Sequence, residues 1–124
     1  MIIDSDILID CARKDPKAIE FLESALRKDI AKVSAVSHME LIVGCRSKRE
    51  LSTIDRFIDR FALLDLSPAI SVKATELLRR YRSGHGLMIP DALVAATALL
   101  EDEPLATHNN RHFRFIEDLD LVEY

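Results

Sequence analysis

The sequence contains little of several residue types that mark specialised classes of protein. With 3 glycines and 4 prolines in 124 residues, it is not a collagen-like, Gly-rich or Pro-rich chain. Its 2 cysteines, Cys11 and Cys45, are too few for a disulfide framework. No apolar run approaches the ~18 residues of a membrane span, and no basic segment followed by an apolar one forms a secretion signal. We therefore expect a cytoplasmic protein that does not cross a membrane.

Basic charge is not in excess either. The 17 Lys and Arg residues against 21 Asp and Glu give a net charge of −4, so no overall positive field attracts nucleic acid. Any binding of nucleic acid then depends on a local basic patch. A composition of 48% hydrophobic and 31% charged residues is typical of a globular protein and excludes disorder as the main state. The length predicts a single domain over residues 1–124.

Short apolar or alternating runs recur along the chain and predict five β-strands separated by helices. The predicted strands are MII at 1–3, KVSAV at 32–36, ALLDL at 62–66, PLAT at 104–107 and LDLVEY at 119–124.

Apolar residues with a helical period of 3.6 fill the segments between these strands. They are Ala18, Ile19, Leu22, Ala25 and Leu26, then Leu51, Ile54, Ile58 and Phe61, then Ile70, Ala74, Leu77, Leu78 and Tyr81. The segment 92–100 is apolar on nearly every face, which predicts a buried helix. Alternating strands and helices indicate an α/β fold, in which a parallel sheet is covered by helices on both faces. In such sheets ligands bind at the carboxyl ends of the strands, where the strand order reverses.

Three acidic residues lie at predicted junctions between strands and helices. Asp4 follows the first strand, Glu40 comes shortly after the second, and Asp91 stands beside Pro90 at the start of the apolar helix. Each has a structural interpretation by itself. Asp4 is a good helix cap, Ser37 and Glu40 have the spacing of a capping box, and an acid in a first turn favours the helix dipole. A charge at the start of a buried helix nevertheless requires a partner.

Taken together, the three acids suggest a metal site. We expect all three at helix starts, and we expect them to converge at one end of the parallel sheet, where clustered carboxylates repel one another unless a cation joins them. Hard oxygen ligands suit Mg²⁺ or Mn²⁺ better than zinc. His108 and His112 do not form a convincing zinc pair, because no Cys or further His supports them.

The ordered motifs resemble those of the PIN domain family, and most closely its VapC-like toxins from toxin–antitoxin pairs. The resemblance rests on DSDIL at 4–8, MEL at 39–41, PDALVAATAL at 90–99 and the T-x-N-x-x-H-F pattern of 107–113, and it covers essentially the whole chain. It implies a Rossmann-like three-layer sandwich with a parallel five-stranded sheet flanked by helices. It also implies a metal-dependent endoribonuclease.

The resemblance further implies roles for individual residues. Asp4, Glu40 and Asp91 match the acidic triad of the family, with Asp4 and Asp91 as the main ligands of Mg²⁺ or Mn²⁺. Asn109 matches a fourth position that is Asp or Asn, and Asp6 matches a small polar or acidic position beside the ligands. The metal would lower the pKa of a bound water and orient it for in-line attack on the phosphate. The expected products carry a 5′-phosphate and a 3′-hydroxyl.

An acidic ribonuclease must still bind RNA, and three basic clusters flank the acidic motifs. They also fit ordinary solvated helix faces. The candidates are Arg46, Lys48, Arg49, Arg79, Arg80, Arg82, Arg111 and Arg114. The resemblance also implies a homodimer with its two acidic sites along one groove. It implies a cognate antitoxin whose C-terminal segment covers that groove.

Two other functions fit part of the pattern. Asp4, Ser5 and Asp6 form a D-x-D motif after a strand, as in haloacid-dehalogenase-like phosphatases, where Asp4 would be the nucleophile. The chain is short for that family, and no clear second acidic pair follows a later strand. The other alternative is a non-catalytic module that binds RNA or a partner and keeps the acids as caps.

Overall fold

The computed structural model describes residues 1–124 and contains one five-stranded parallel sheet with the strand order β3-β2-β1-β4-β5. All five predicted strands are present, each shorter than its sequence pattern. They are β1 (Ile2–Ile3), β2 (Lys32–Ser34), β3 (Ala62–Leu64), β4 (Leu105–Ala106) and β5 (Leu121–Val122).

Six α-helices and one short 3-10 helix (Asn110–His112) connect the strands. The α-helices are α1 (Ser5–Ala12), α2 (Pro16–Arg27), α3 (Ala35–Val43), α4 (Lys48–Ile58), α5 (Pro68–His85) and α6 (Ile89–Leu100). The predicted helical stripes fall on α2, α4 and α5, except that Phe61 lies beyond the end of α4. No helix has the length and apolar character needed to cross a membrane.

The two faces of the sheet bury two separate hydrophobic cores, because successive strand residues point to opposite faces. Ile2 and Leu105 pack with α5 and α6 in one core, whereas Ile3 and Ala106 pack with α1, α2 and α4 in the other. The result is the predicted three-layer α/β sandwich. Both faces of the central strands are therefore dry, as expected of a parallel sheet.

Side-chain caps fix where several helices begin. Asp15, Ser47 and Ser67 accept hydrogen bonds from backbone N–H groups in the first turns of α2, α4 and α5. At the other end of α5, Gly86 has a φ of 72°, a left-handed conformation that glycine adopts without a steric cost.

Helix α6 is buried over most of its surface, as its composition predicts. Ala92, Val94 and the segment 95–98 are buried, whereas Ile89 and Pro90 at the start and Leu100 at the end are exposed. The buried hydroxyl of Thr97 is satisfied because it donates to the Leu93 carbonyl oxygen at 2.8 Å.

A substitution at the centre of the sheet measures how much the core beneath α5 and α6 contributes to stability. Leu105→Ala removes a fully buried side chain from the core that α5 and α6 cover, so the free energy of unfolding should fall by about 2–5 kcal/mol. Val72→Ala, on the exposed surface of α5, should change it by less than about 0.5 kcal/mol. Urea denaturation of both variants measures the difference, and equal costs would contradict the assigned core.

The strand order reverses at the centre of the sheet, where a ligand site is expected. Strand β1 pairs with β2 on one side and with β4 on the other, so the chain leaves the centre of the sheet in both directions. The carboxyl ends of β1 and β4 lie side by side, and the backbone N–H of Asp4 donates to the Ala106 carbonyl oxygen at 2.9 Å. Residues that directly follow these two strands are therefore neighbours in space.

Candidate active site at the carboxyl edge of the sheet

Asp4 occupies the centre of this edge, between β1 and α1. Asp4 is only 5% exposed. One of its carboxylate oxygens accepts a hydrogen bond from the Ser5 N–H at 2.9 Å, and the other accepts one from the Thr107 hydroxyl at 2.9 Å. Burial raises the pKa of Asp4 to about 7, helped by the charges of Asp6 and Asp91 and opposed by the two hydrogen bonds. Asp4 is thus the cap of α1 and, at the same time, a buried carboxyl group poised to lose its proton.

Glu40 does not stand at the start of a helix, and the expectation that it does is wrong. Helix α3 begins directly after β2, where the Ser34 hydroxyl caps it by accepting from the Val36 N–H at 3.1 Å. Ser37 therefore lies inside the helix with a buried, unpaired hydroxyl, and the proposed capping box with Glu40 is absent. The sequence pattern misplaced the cap because a strand ran into a helix without an intervening turn.

The Glu40 carboxyl group nevertheless faces the other acids. The residue as a whole is exposed, yet protein atoms around its carboxyl group displace water from it. This desolvation raises the pKa of Glu40, and the charges of Asp91 and Asp6 raise it further, whereas a hydrogen bond from the Ser5 side chain lowers it.

Asp91 lies in the first turn of α6, at the position predicted from Pro90. Its side chain is 25% exposed, and its carboxylate lies 3.5 Å from Nδ1 of His112. Burial raises the pKa of Asp91 and the charge of Asp6 adds to the effect, whereas His112 lowers it. In the sequence, His112 is the histidine of the T-x-N-x-x-H-F pattern, and nothing there predicts its contact with Asp91.

The fold thus brings the three predicted acids within electrostatic reach of one another. Asp91 raises the pKa of both Asp4 and Glu40, although the three residues come from distant parts of the sequence. All three pKa values are raised because the carboxyl groups are desolvated and carry like charges. The arrangement destabilises the fully ionised protein unless a cation binds to it.

The loop after β4 supplies the fourth side of the site. Thr107 is buried and bonds to Asp4, and the Asn109 N–H donates to the Thr107 hydroxyl oxygen at 3.0 Å. His108, between these two residues, has its ring Nδ1 3.2 Å from the Asp10 carboxylate. His108 and His112 therefore pair with different carboxylates.

The donor chemistry fits a hard divalent cation. Asp4, Glu40 and Asp91 offer carboxylate oxygens, the ligands that Mg²⁺ and Mn²⁺ prefer, and their pKa values are raised first by burial and then by the charges of neighbouring acids. No three acidic, His or Cys side chains are already arranged as a cage for a metal ion. A cation at this site would therefore be held partly through water, as is usual for Mg²⁺.

A cavity of about 480 Å³ adjoins Glu40 between α1, α3 and α4. Arg46 and Arg49, predicted as RNA-binding residues, line it together with Glu40. Arg13 at the end of α1 lines it as well, although it is not among the basic residues predicted from the sequence.

A second cavity, of about 630 Å³, lies where α5 turns into α6. Arg79 and Arg82 line it together with Pro90, the neighbour of Asp91 in the chain. The guanidinium of Arg82 donates to the carbonyl oxygens of Gly86 at 3.0 Å and Leu87 at 3.3 Å, so this side chain also secures the turn.

The remaining basic candidates are not drawn into either cavity. Arg80 forms an ion pair with Glu117 at 2.6 Å, and its guanidinium lies over the ring of Tyr81. These two contacts hold the Arg80 side chain on the surface of α5. The other three are exposed: Lys48, Arg111 and Arg114.

Comparisons with known proteins give consistent results for the sequence and for the fold. Residues 1–118 match the PIN domain family. The chain is 36% identical over 120 residues to ribonuclease VapC10 of Mycobacterium tuberculosis, which covers 96% of this chain and 90% of the relative.

Solved structures give the same result for the fold. A toxin–antitoxin complex from Klebsiella pneumoniae superposes with a TM-score of 0.78 at 26% identity, covering 98% of this chain and 94% of the other. DNA-bound VapBC from Salmonella typhimurium superposes with a TM-score of 0.85 at 21% identity, covering 98% and 96% of the two chains.

Proposed function

This chain belongs to the PIN domain family, and on that premise we propose that it is an endoribonuclease and the toxin of a toxin–antitoxin pair. A relative that is 36% identical over nearly the full length of both chains carries the name ribonuclease VapC10. The activity we propose is hydrolysis of RNA phosphodiester bonds with a divalent cation, Mg²⁺ or Mn²⁺.

One observation carries the proposal: Asp4, Glu40 and Asp91 come from distant parts of the sequence, yet Asp91 raises the pKa of both other acids, so the three lie within electrostatic reach of one another. A protein that used these acids only as helix caps would gain nothing from placing them within reach of one another. Their mutual repulsion lowers stability, and a bound cation would remove it.

Each polar residue of the site has a separate task in this mechanism. Asp4 and Asp91 would hold the cation, a Lewis acid that would stabilise charge on the phosphate and lower the pKa of water. Glu40 would orient the attacking water. Asn109 would provide a neutral polar group that can hydrogen-bond water or a phosphate oxygen.

The phosphate backbone of RNA requires positive charge near these acids. Arg46 and Arg49 are best placed for this, because they share a cavity with Glu40, and Arg79 is placed beside Pro90 near Asp91. Backbone contacts of this type position a nucleic acid without reading its sequence. Lys48, Arg80, Arg82, Arg111 and Arg114 complete the proposed RNA-binding set.

The proposed partner is an antitoxin protein. A toxin–antitoxin complex is among the structures that share this fold, at 26% identity. We propose that the C-terminal segment of a cognate antitoxin covers the acidic groove, with a basic side chain near the carboxylates. We also propose that the toxin is a homodimer in the cytoplasm.

Cleavage of a structured RNA by the purified, antitoxin-free chain tests the activity. We expect cleavage with Mg²⁺ or Mn²⁺, none after treatment with EDTA, and products that carry a 5′-phosphate and a 3′-hydroxyl. The control variant is Asp29→Asn, which neutralises an exposed acid after α2 and should cleave at the wild-type rate. Cleavage that survives chelation, or products with a 2′,3′-cyclic phosphate, would contradict the proposal.

The same assay separates the two alternatives. A phosphatase that uses Asp4 as nucleophile would release phosphate from small esters, whereas a binding module would leave both RNA and esters intact. The match of residues 1–118 to the PIN domain family favours the ribonuclease over the phosphatase.

A further inference from the structure

Asp6, in the first turn of α1, makes more hydrogen bonds than any of the three predicted metal ligands. One carboxylate oxygen accepts from the Ile7 N–H at 2.7 Å. The other oxygen accepts from the N–H groups of His108 at 2.8 Å and Asn109 at 3.1 Å, and it lies 3.2 Å from the Thr107 hydroxyl. Asp6 therefore joins helix α1 to the loop that follows β4, which is about a hundred residues away in the sequence.

This set of contacts requires a carboxylate. Every neighbour of Asp6 in the set is a donor, and the donors approach both carboxylate oxygens. An ionised Asp accepts at both oxygens, whereas Asn has one accepting oxygen and an NH₂ group that only donates. Asn at this position must therefore leave donors unpaired on one of its two sides. Hydrogen bonds to a charged acceptor are also roughly twice as strong as neutral ones.

The loop held by Asp6 carries the groups that complete the site. The Thr107 hydroxyl has one proton, which it shares between Asp4 at 2.9 Å and Asp6 at 3.2 Å. The same hydroxyl oxygen accepts from the Asn109 N–H at 3.0 Å. Displacement of the loop would therefore move Thr107 away from Asp4 and Asn109 away from the acids.

We propose that Asp6 is a positioning residue: its carboxylate fixes the loop 107–109 against α1 and thereby places Thr107 and Asn109 relative to Asp4 for RNA hydrolysis. The proposal rests on the function proposed above and adds a residue that acts through others. In this role Asp6 acts through the loop that it holds and is not assigned as a ligand of the cation.

Asp10 provides a matched control on the same helix face, one turn further along. It also contacts the loop, but only through the exposed ring of His108, and it accepts from no backbone N–H of the loop. Asp6→Asn and Asp10→Asn remove the same charge from α1. They differ in whether the loop backbone loses its anchor.

Two measurements on the full chain test the proposal. Amide hydrogen exchange reports the anchor directly, and we expect the Asn109 amide to exchange at least about tenfold faster in Asp6→Asn than in the wild type. Steady-state cleavage of RNA reports the consequence. We expect kcat to fall about 10–100-fold with KM changed less than about threefold, the size of effect known for residues that orient metal ligands. Asp10→Asn should leave the Asn109 exchange rate and kcat close to those of the wild type.

Several results would overturn the proposal. One is an unchanged Asn109 exchange rate in Asp6→Asn. Another is a fall in kcat without faster exchange, which would place the effect of Asp6 in its charge rather than in the loop. Faster exchange with full kcat would show that the loop position does not matter for catalysis. If the wild type does not cleave RNA at all, the function proposed above fails, and the exchange arm still decides whether Asp6 anchors the loop.

Discussion

Asp91→Asn is expected to abolish RNA cleavage and growth inhibition while the fold remains intact. Asn has nearly the volume of Asp and still accepts hydrogen bonds, so α6 should begin at the same residue. It lacks the negative charge that a hard cation requires. We expect kcat to fall by more than about 100-fold, since substitutions that only disturb the partners of metal ligands already cost about 10–100-fold.

The stability of the same variant separates a metal ligand from a cap. If Asp91 served only the helix dipole, the substitution would cost about 0.3–1 kcal/mol of stability and no activity. Because burial and the charge of Asp6 raise the pKa of Asp91, its ionised form lowers the free energy of unfolding of the folded protein. The metal-free variant should therefore melt at the wild-type temperature or above it. A variant that melts normally and remains fully toxic would show that Asp91 is structural and that the proposed site is wrong.

The second large effect is a pH dependence of stability that comes from Asp4. Burial raises the pKa of Asp4 to about 7 in the folded chain, whereas an aspartate in an unfolded chain has a pKa of 3.8. Between these two values the folded state binds the proton more tightly than the unfolded state. Metal-free protein should therefore lose stability as the pH rises from about 4 to about 7, by about 4 kcal/mol from this group if the full shift is realised.

Glu40 and Asp91 have raised pKa values and act in the same direction. Glu103, whose pKa is lowered by Lys32 and the N-terminal amine, acts oppositely and loses its contribution below about its ordinary value of 4.5. Unfolding by urea at pH 5, 6, 7 and 8 in the presence of EDTA covers the useful range. The difference between wild type and Asp4→Asn isolates Asp4, and the Asn variant should show a shallower fall with pH.

Mg²⁺ provides the complementary test on the wild type. At pH 8 a Mg²⁺ concentration 100 times the dissociation constant should restore about 2.7 kcal/mol of stability, because the cation binds only the folded state. Protons compete with the cation for Asp4, so Mg²⁺ should bind about tenfold more weakly at pH 6 than at pH 8. Asp29→Asn, far from the site in the sequence and exposed, should keep the wild-type pH dependence. A flat stability profile for the wild type would contradict the buried, ionisable Asp4.

The relation between sequence and structure is clearest in the sheet and its helices. Five short apolar runs predicted the five strands, and the stripe at Ile70, Ala74 and Leu77 predicted α5, because burial on a sheet or helix face imposes a period on the sequence. The apolar composition of 92–100 likewise predicted the burial of α6. These features depend only on neighbours along the chain, and a single sequence is sufficient to recognise them.

The position of Glu40 required the tertiary structure. A capping box and a catalytic acid have the same local pattern, and only the direct passage of β2 into α3 decided that Ser34 caps the helix while Glu40 faces Asp91. The sequence identified the residue for the site through its family motif and misjudged its place on the helix, since helix boundaries depend on side-chain competition for a few backbone N–H groups.

The sequence by itself determined the α/β class, the five strands and the three candidate acids. Periodicity, capping residues and the order of motifs are local patterns that a single sequence shows. The tertiary structure alone decided which of the remaining polar residues serve the site. Asp6 binds the loop of Asn109, His112 pairs with Asp91, and Arg13 joins Glu40 in a cavity. Such contacts join residues far apart in the chain, and their distances follow from how the strands are ordered in the sheet, which local sequence patterns do not encode.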